Sequence, residues 1–263
     1  LPFLSRKKAE FGMGIARMED RYFQTNIIDF SETKHDESTY SIFGGSIVLE
    51  GSTLNARQFA TQGSREKMAA QIFTGTEHFR SGVSKVTKGT PEPYKKVQSW
   101  LQVSYQNETY HKVSPKFTLG AYLEAYYSSR NFSNNYTATL MQAGEFTPTA
   151  HSKVTYNEAF RANQYAGVGT MPIYQLSESF QLRGEFYGFI PIFPIKKDEY
   201  GQAYYGKAFT KFEYLGEISL VFQLSFGSIS AYVNHYSSPS NDWNVGLTLG
   251  WQLFNSRFVC LLY

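Results

Sequence analysis

Apolar and polar residues alternate one by one along the C-terminal third of the chain. Trp243, Val245, Leu247, Leu249, Trp251 and Leu253 share one face, and Asn244, Gly246, Thr248, Gly250 and Gln252 the other. Successive side chains of a strand point to opposite sides, so this pattern predicts a strand lying between an apolar and a polar phase. The stretch before it repeats the pattern. Phe212, Tyr214, Ile218, Leu220, Phe222, Leu224 and Phe226 oppose Lys211, Glu213, Glu217, Ser219, Gln223 and Ser225. It is far longer than the usual globular strand of about five or six residues. Upstream, Phe117, Leu119, Ala121, Leu123, Ala125 and Tyr127 oppose Thr118, Gly120, Tyr122, Glu124 and Tyr126, and Leu182, Phe186 and Ile190 oppose Gln181, Arg183 and Glu185. Ten strands are predicted, at 9–23, 41–53, 65–78, 97–111, 116–129, 164–177, 180–194, 208–226, 228–238 and 243–254.

The predicted connections differ in length. Short turns fall near Ser114-Pro115, Glu178-Ser179 and Gly227, and long polar stretches at 25–40, 79–96, 130–163 and 195–207. Short turns at one end and long loops at the other are the asymmetry of an outer-membrane barrel. A soluble sandwich has shorter, less regular strands. A lipocalin-like barrel turns its apolar residues inward. The pattern therefore favours an all-β, antiparallel transmembrane β-barrel in the bacterial outer membrane over a soluble β-rich binding protein. Ten is an even number, which suits a small closed barrel.

Composition sharpens this picture. Mean hydropathy is negative and no run of apolar residues is long enough for a membrane helix; a barrel, whose faces average out, is left open. Aromatics make up 17% of the 263 residues, with 20 Tyr and 22 Phe, which suits half-buried pleats and interface girdles. Tyr22, Phe23, Tyr126, Tyr127, Trp243 and Trp251 fall near strand ends and are read as interface anchors. Trp100, in phase with Gln102 and Ser104, is assigned to the polar interior. A net charge of +3 gives no nucleic-acid footprint, and the lone Cys260 excludes an internal disulfide and a cysteine metal site. Leu1–Lys8 has no hydrophobic signal core, so the expectation is a removed leader or the tail of a longer chain. The basic run Arg6-Lys7-Lys8 reads as a solvated terminus.

Chemistry-bearing motifs are absent. Gly44-Gly45-Ser46-Ile47-Val48 lacks the last glycine of a nucleophile elbow and lies in a strand pattern. His35, His78, His111, His151 and His235 are scattered, none at metal-ligand spacing with another, and are assigned to solvated loops or strand ends. Gly12-Met13-Gly14 and Gly167-Val168-Gly169 are not phosphate cradles; glycine inside a strand relieves crowding. No enzyme activity, cofactor or metal is expected of residues 1–263.

Three segments resemble the surface-antigen barrel superfamily of outer-membrane assembly factors and two-partner secretion pores. Gly51–Arg65 is similar to its periplasmic turn through Phe59, Thr61 and Gly63, with Ala60 in place of proline and Asn55 in place of aspartate. Phe160-Arg161-Ala162-Asn163 resembles the tip of the lumen-inserted loop, without its glycine. Leu182-Arg183-Gly184-Glu185-Phe186-Tyr187-Gly188 resembles the strand that carries an inward acidic residue. From spacing alone Arg161 is a solvated loop residue and Glu185 one polar lumen position among many; the resemblance implies that Arg161 enters the lumen and pairs with Glu185. It also implies that this chain supplies the last ten strands of a barrel of about sixteen, with further strands from elsewhere.

A narrower resemblance, carried by Phe132–Leu140, Phe146-Thr-Pro-Thr149, Asn234-His-Tyr236, Asn244-Val-Gly246 and Leu253-Phe-Asn255, is to the C-terminal barrel of Bacteroidetes patatin-like phospholipases. It implies a barrel domain over 1–263 with a long lumen or extracellular loop at 130–163. A lipid-hydrolase domain would precede residue 1. The implied role is anchorage of that domain and assistance in its export. Implied partners are the lipid bilayer, lipopolysaccharide as a candidate, the outer-membrane assembly machinery and the upstream hydrolase. The competing expectation is a self-standing pore for small solutes.

Overall fold

The computed structural model describes residues 7–22, 35–82, 93–133, 135–225, 227–238 and 243–251, without the side chain of Trp251. Phe23, Cys260 and the tail from residue 252 onward lie outside the described residues. In chain order the elements are β1 (Lys7–Tyr22), β2 (Asp36–Ser52), β3 (Gly63–Arg80), β4 (Tyr94–Lys112), β5 (Phe117–Ser128), α1 (Tyr136–Gln142), β6 (Gly144–Glu145), β7 (Arg161–Ala162), β8 (Gln164–Gln175), β9 (Phe180–Pro191), β10 (Ile195–Lys197), β11 (Ala203–Tyr205), β12 (Glu213–Leu224), β13 (Gly227–Tyr236) and β14 (Trp243–Trp251).

Ten of these strands form one antiparallel sheet in the order β1-β2-β3-β4-β5-β8-β9-β12-β13-β14. All ten strands predicted from the alternation are present. The elements differ from the sequence reading mainly at the long connections. β2, β3 and β4 run further into them than predicted, whereas β12 begins only at Glu213. The stretch 195–207, read as loop, holds the β10–β11 hairpin, and 130–163 holds α1 and the β6–β7 ladder. α1 starts where Asn135 accepts a hydrogen bond from the Ala138 amide at 2.8 Å. Among the described residues β1 and β14 stand at the two margins of the sheet and no ladder joins them.

The register lines up one outward row after another. Phe11, Ile47, Ala70, Val103 and Tyr127 are successive cross-strand partners, as are Phe117, Tyr174, Leu182, Leu220, Ala231 and Leu247. The other face is polar, and from β5 to β13 it is the buried one, whereas β1 is exposed on both faces over residues 10–19. On β12, Glu217 and Ser219 are 2% and 1% exposed while their neighbours Ile218 and Leu220 are 50% and 39% exposed. On β14, Val245 and Leu247 reach 82% and 77%.

The sheet coils around its own connections. The β2–β3 turn hydrogen-bonds to β9, β12 and β13, far along the strand order. Asn135, in the segment between β5 and β8, donates to Tyr22 on β1 at 3.1 Å. That segment packs its rings on the concave face. Phe146 and Phe160 lie 5.5 and 5.6 Å from Phe189, beside Tyr122, Tyr165 and Tyr187 in one buried cluster. Gly167 and Gly169 provide the space: a Cβ on either would run into the ring of Phe146 or Tyr187. Burial of rings such as Phe146 and Phe160 stabilises the insert by about 2–3 kcal/mol each.

Candidate functional site: the charged seam beneath the inserted segment

Three charged clusters lie where the connections meet the concave wall. The first centres on Arg183 of β9. Arg183 and Glu185 are two residues apart and so share the inward face. They form an ion pair, with both side chains nearly fully buried. The same guanidinium donates to the Ala60 carbonyl at 2.9 Å and to the Tyr110 hydroxyl at 2.8 Å. Its plane lies against Tyr110, 5.3 Å from the ring centre. Directly opposite Glu185 on β12 stands a second carboxylate, Glu217.

The second cluster takes up that carboxylate. His151, in the segment between β5 and β8, sits with Nδ1 2.6 Å from Glu217 Oε1 and Nε2 3.1 Å from Ser230 Oγ. A carboxylate only accepts, so Nδ1 carries a proton; in the neutral ring Nε2 accepts from Ser230. The imidazole stacks on Tyr232 at 3.7 Å. Ser, His and Glu in this sequence have the connectivity of a hydrolytic triad. They lack the rest of one. Ser230 is 1% exposed and lies in a strand paired on both sides, so its surroundings offer neither substrate access nor free backbone donors for an oxyanion. The cluster is a polar lock that pins the inserted segment to the wall. The third cluster, on β3, surrounds the buried Glu77, which accepts from Tyr40, Tyr94 and Gln98 at 2.8–3.0 Å.

The β2–β3 turn forms the floor of the seam. Asn55 Oδ1 accepts from the amides of Thr61 and Gln62 at 3.0 and 3.1 Å, and its Nδ2 donates to Thr61 Oγ1 at 2.9 Å. An aspartate could accept but could not make that last donation. Gly63 adopts φ 95°, and a Cβ there would strike the Thr53 carbonyl. Phe59 holds φ 53°, uncommon for an aromatic residue; its carbonyl is fixed by Gln181 and Gln223 at 3.2 and 3.1 Å. Phe59, Thr61 and Gly63 thus lie in the β2–β3 connection, which also ties distant strands together.

Arg161 does not meet Glu185. Its partner is Glu145, across the β6–β7 ladder at 2.8 Å. It also donates to the carbonyls of Leu140 and Met141 at 3.3 and 3.2 Å, at the C-terminal end of α1, where a cation is favourable. Tyr156 lies under its guanidinium at 4.6 Å. The reason is distance along the strands: Arg161 sits at the same end as Pro191, and Glu185 lies six strand positions further down, ~20 Å away. Phe160, next to Arg161, is buried in the concave cluster. The insert is desolvated around α1, where burial pushes the Tyr136 hydroxyl up to about 12.

Of the aromatic positions assigned to an interface, Tyr127 and Trp243 point outward, 44% and 69% exposed. Tyr126 does not: it turns inward and stacks on Tyr165 at 5.3 Å. Alternation places 126 and 127 on opposite faces, so only one of them can face outward. Tyr22 is likewise buried, near Ser38 and Asn135. Trp100 is buried on the concave side, stacked on Phe73 at 5.2 Å with Arg130 above it. His151 is the histidine whose assignment to solvent fails, because a wall carboxylate and hydroxyl receive it. Among the described residues no group of three or more His, Cys, Asp or Glu could hold a metal ion.

The Arg161–Glu145 contact gives a direct test. Arg161→Glu is expected to lower stability by about 1–2 kcal/mol, given the partial exposure of Glu145. Adding Glu145→Arg should restore much of the loss in denaturant titrations, whereas adding Glu185→Arg should deepen it. Rescue by Glu185→Arg would contradict the pairing described above.

Arg183, Glu217, Ser230 and His151 were not singled out from the sequence, although a signal existed for two of them. Arg183 and Glu217 are ionisable residues in the polar phase of mid-strand segments, and such residues need partners once buried. No protein-family model and no curated protein matches the chain.

Proposed function

We propose that the sheet is membrane-spanning wall, part of an outer-membrane β-barrel whose interior is closed by the segment between β5 and β8, and that it serves as an anchor rather than an open channel. The observation that carries this reading is the inverted burial: charged residues are sheathed on the concave face while rows of Ile, Leu, Val and aromatic residues are bare on the convex one. In water that arrangement exposes a large apolar surface; in a bilayer the apolar rows face hydrocarbon and the strands between β1 and β14 satisfy their backbone within the sheet. β1 and β14, each with a single partner strand among the described residues, are where further strands would join a larger barrel. On the resemblance described above, the anchored cargo is an upstream patatin-like lipid-hydrolase domain, whose delivery across the outer membrane the barrel assists.

The test is reconstitution in lipid vesicles followed by single-channel recording. The protein is expected to co-float with the vesicles and to pass little current, because Phe146, Phe160 and the His151 lock fill the interior. Deletion of 131–159 should then produce steady conductance. Large currents from the intact protein would favour the self-standing pore. Full recovery in detergent-free supernatant, without flotation, would favour a soluble β-rich protein.

A further inference from the structure

Charged positions bound the apolar convex face of β1–β4 at both ends. Residues two apart on a strand share a face, so between Lys7 and Arg17 the outward positions of β1 are Ala9, Phe11, Met13 and Ile15, all apolar. At the end of the β2–β3 turn, Lys7 lies 3.9 Å from Glu66 of β3, which shares its row. At the end of the long connections, Arg17 pairs in the register with Ser41, and Ser41 with Thr76. Lys7 and Arg17 are separated by about 34 Å along the strand. A strand tilt of about 40° reduces that to about 26 Å, close to the height of the apolar band of an outer-membrane barrel. Beyond Arg17 the outward residues include Glu19, Arg21, Glu37, His78, Arg80 and Lys95, so this part of the wall stands clear of the apolar belt.

The convex face is hollow at that border. A depression of about 630 Å³ spans β1–β4, within the range of ligand pockets of about 300–1,000 Å³. Apolar Ile15, Phe43 and Val97 line it together with the short hydroxyl side chains of Ser41, Thr74 and Thr76, and with Arg17. Arg17, Arg80 and Lys95 are exposed and have no ion-pair partner among the described residues. The two outward acids nearby are already accounted for: Glu19 pairs with Arg21, and Glu37 lies between Arg21 and Arg80 in the register. Arg17 and Lys95 stand three strand spacings and two residues apart in that register, a Cα separation of about 16 Å.

We infer that this depression seats the headgroup of a multiply acylated glycolipid with two phosphates, of the lipopolysaccharide kind. One phosphate accepts hydrogen bonds from Arg17 and the hydroxyls of Ser41 and Thr76, the other meets Lys95, and acyl chains run down over Ile15 and Phe43. Two free cations far apart suit two phosphates better than the single one of a glycerophospholipid, and a hollow four strands wide takes several chains. The end with the long connections is also the outer end of such a barrel. The inference rests on the membrane reading and names the lipid that meets this part of the wall. A further strand joining β1 would add edgewise, beside the depression, and leave its outward face open.

Native mass spectrometry of the full chain in a neutral detergent counts bound lipid. The protein is titrated with diphosphoryl lipid A, monophosphoryl lipid A and phosphatidylglycerol, and flotation with phosphatidylcholine vesicles checks membrane association separately. The expected result is saturable retention of a single diphosphoryl lipid A, with an apparent affinity about ten-fold weaker for the other two lipids, the equivalent of one charge-assisted contact. Arg17→Gln should weaken binding of both glycolipids about ten-fold. Lys95→Gln should erase the preference for two phosphates over one. Both positions are exposed, so flotation should be unchanged in either variant. No retention, equal retention of all three lipids, or retention unaltered by both variants overturns the site, and co-flotation in those cases leaves the membrane reading standing. Failure to co-float overturns both.

Discussion

Arg183→Met is expected to destabilise the protein by about 3–5 kcal/mol, the cost of removing one partner from a buried ion pair. The substitution keeps most of the side-chain volume, so the effect is electrostatic. Without the guanidinium, Glu185 loses its counter-charge while facing Glu217 directly across the β9–β12 ladder. The Ala60 carbonyl and the Tyr110 hydroxyl lose a donor at the same time, so the floor turn keeps only the Gln181 bond to β9. Denaturant titration in detergent, followed by intrinsic fluorescence, measures the change in midpoint. The double variant Arg183→Met, Glu185→Leu should regain most of the loss, because it removes the stranded charge along with its partner. A single variant as stable as the parent would mean that the seam contributes nothing to holding the turn against the wall.

Ile218→Arg should have the second largest effect, and its size depends on the medium. Ile218 is half-exposed, midway along β12 on the convex face. On a surface in water such a change costs at most about 0.5 kcal/mol. Near the middle of a bilayer an outward arginine on a barrel strand costs about 2–4 kcal/mol. Val154→Arg is the matched control: Val154 is 84% exposed on the inserted segment, where the same charge should be tolerated. Stability in bilayers, compared across the three proteins, should show a loss for Ile218→Arg alone. Equal, small effects at both positions would count against hydrocarbon contact at β12.

The seam also shows why a triad-like geometry is no guide to chemistry by itself. Ser230, His151 and Glu217 satisfy the distances that nucleophile activation needs. Catalysis further requires a place for the reacting carbonyl and donors for its oxygen, and a serine in a strand paired on both sides has neither. What remains is a set of matched donors and acceptors that holds a long segment on a wall of opposite polarity, where each unpaired group would be costly.

Much of the fold was legible in the chain. Strict alternation such as that from Trp243 to Trp251 fixes strand, face and approximate length at once, because the period of a strand is local and each side chain has only two directions to choose from. Glycine in the floor turn and the alternation of short and long connections were readable for the same reason: both follow from local backbone geometry. Partner choice was not. From spacing alone Arg161 read as a solvated loop residue, and only the resemblance paired it with Glu185; that it meets Glu145 instead depends on how far down the wall the segment reaches, which no local pattern encodes. Tyr126 and Tyr127 both looked like interface anchors, although the alternation along β5 already put them on opposite faces. His151 looked like a solvated loop residue because its partners, Glu217 and Ser230, are far away in sequence and become neighbours only when β12 and β13 coil beneath it. The sequence by itself determined the ten strands and which face of each is apolar; the tertiary structure alone decided which face is buried and which charges are paired, since those depend on long-range packing of the connections onto the coiled sheet.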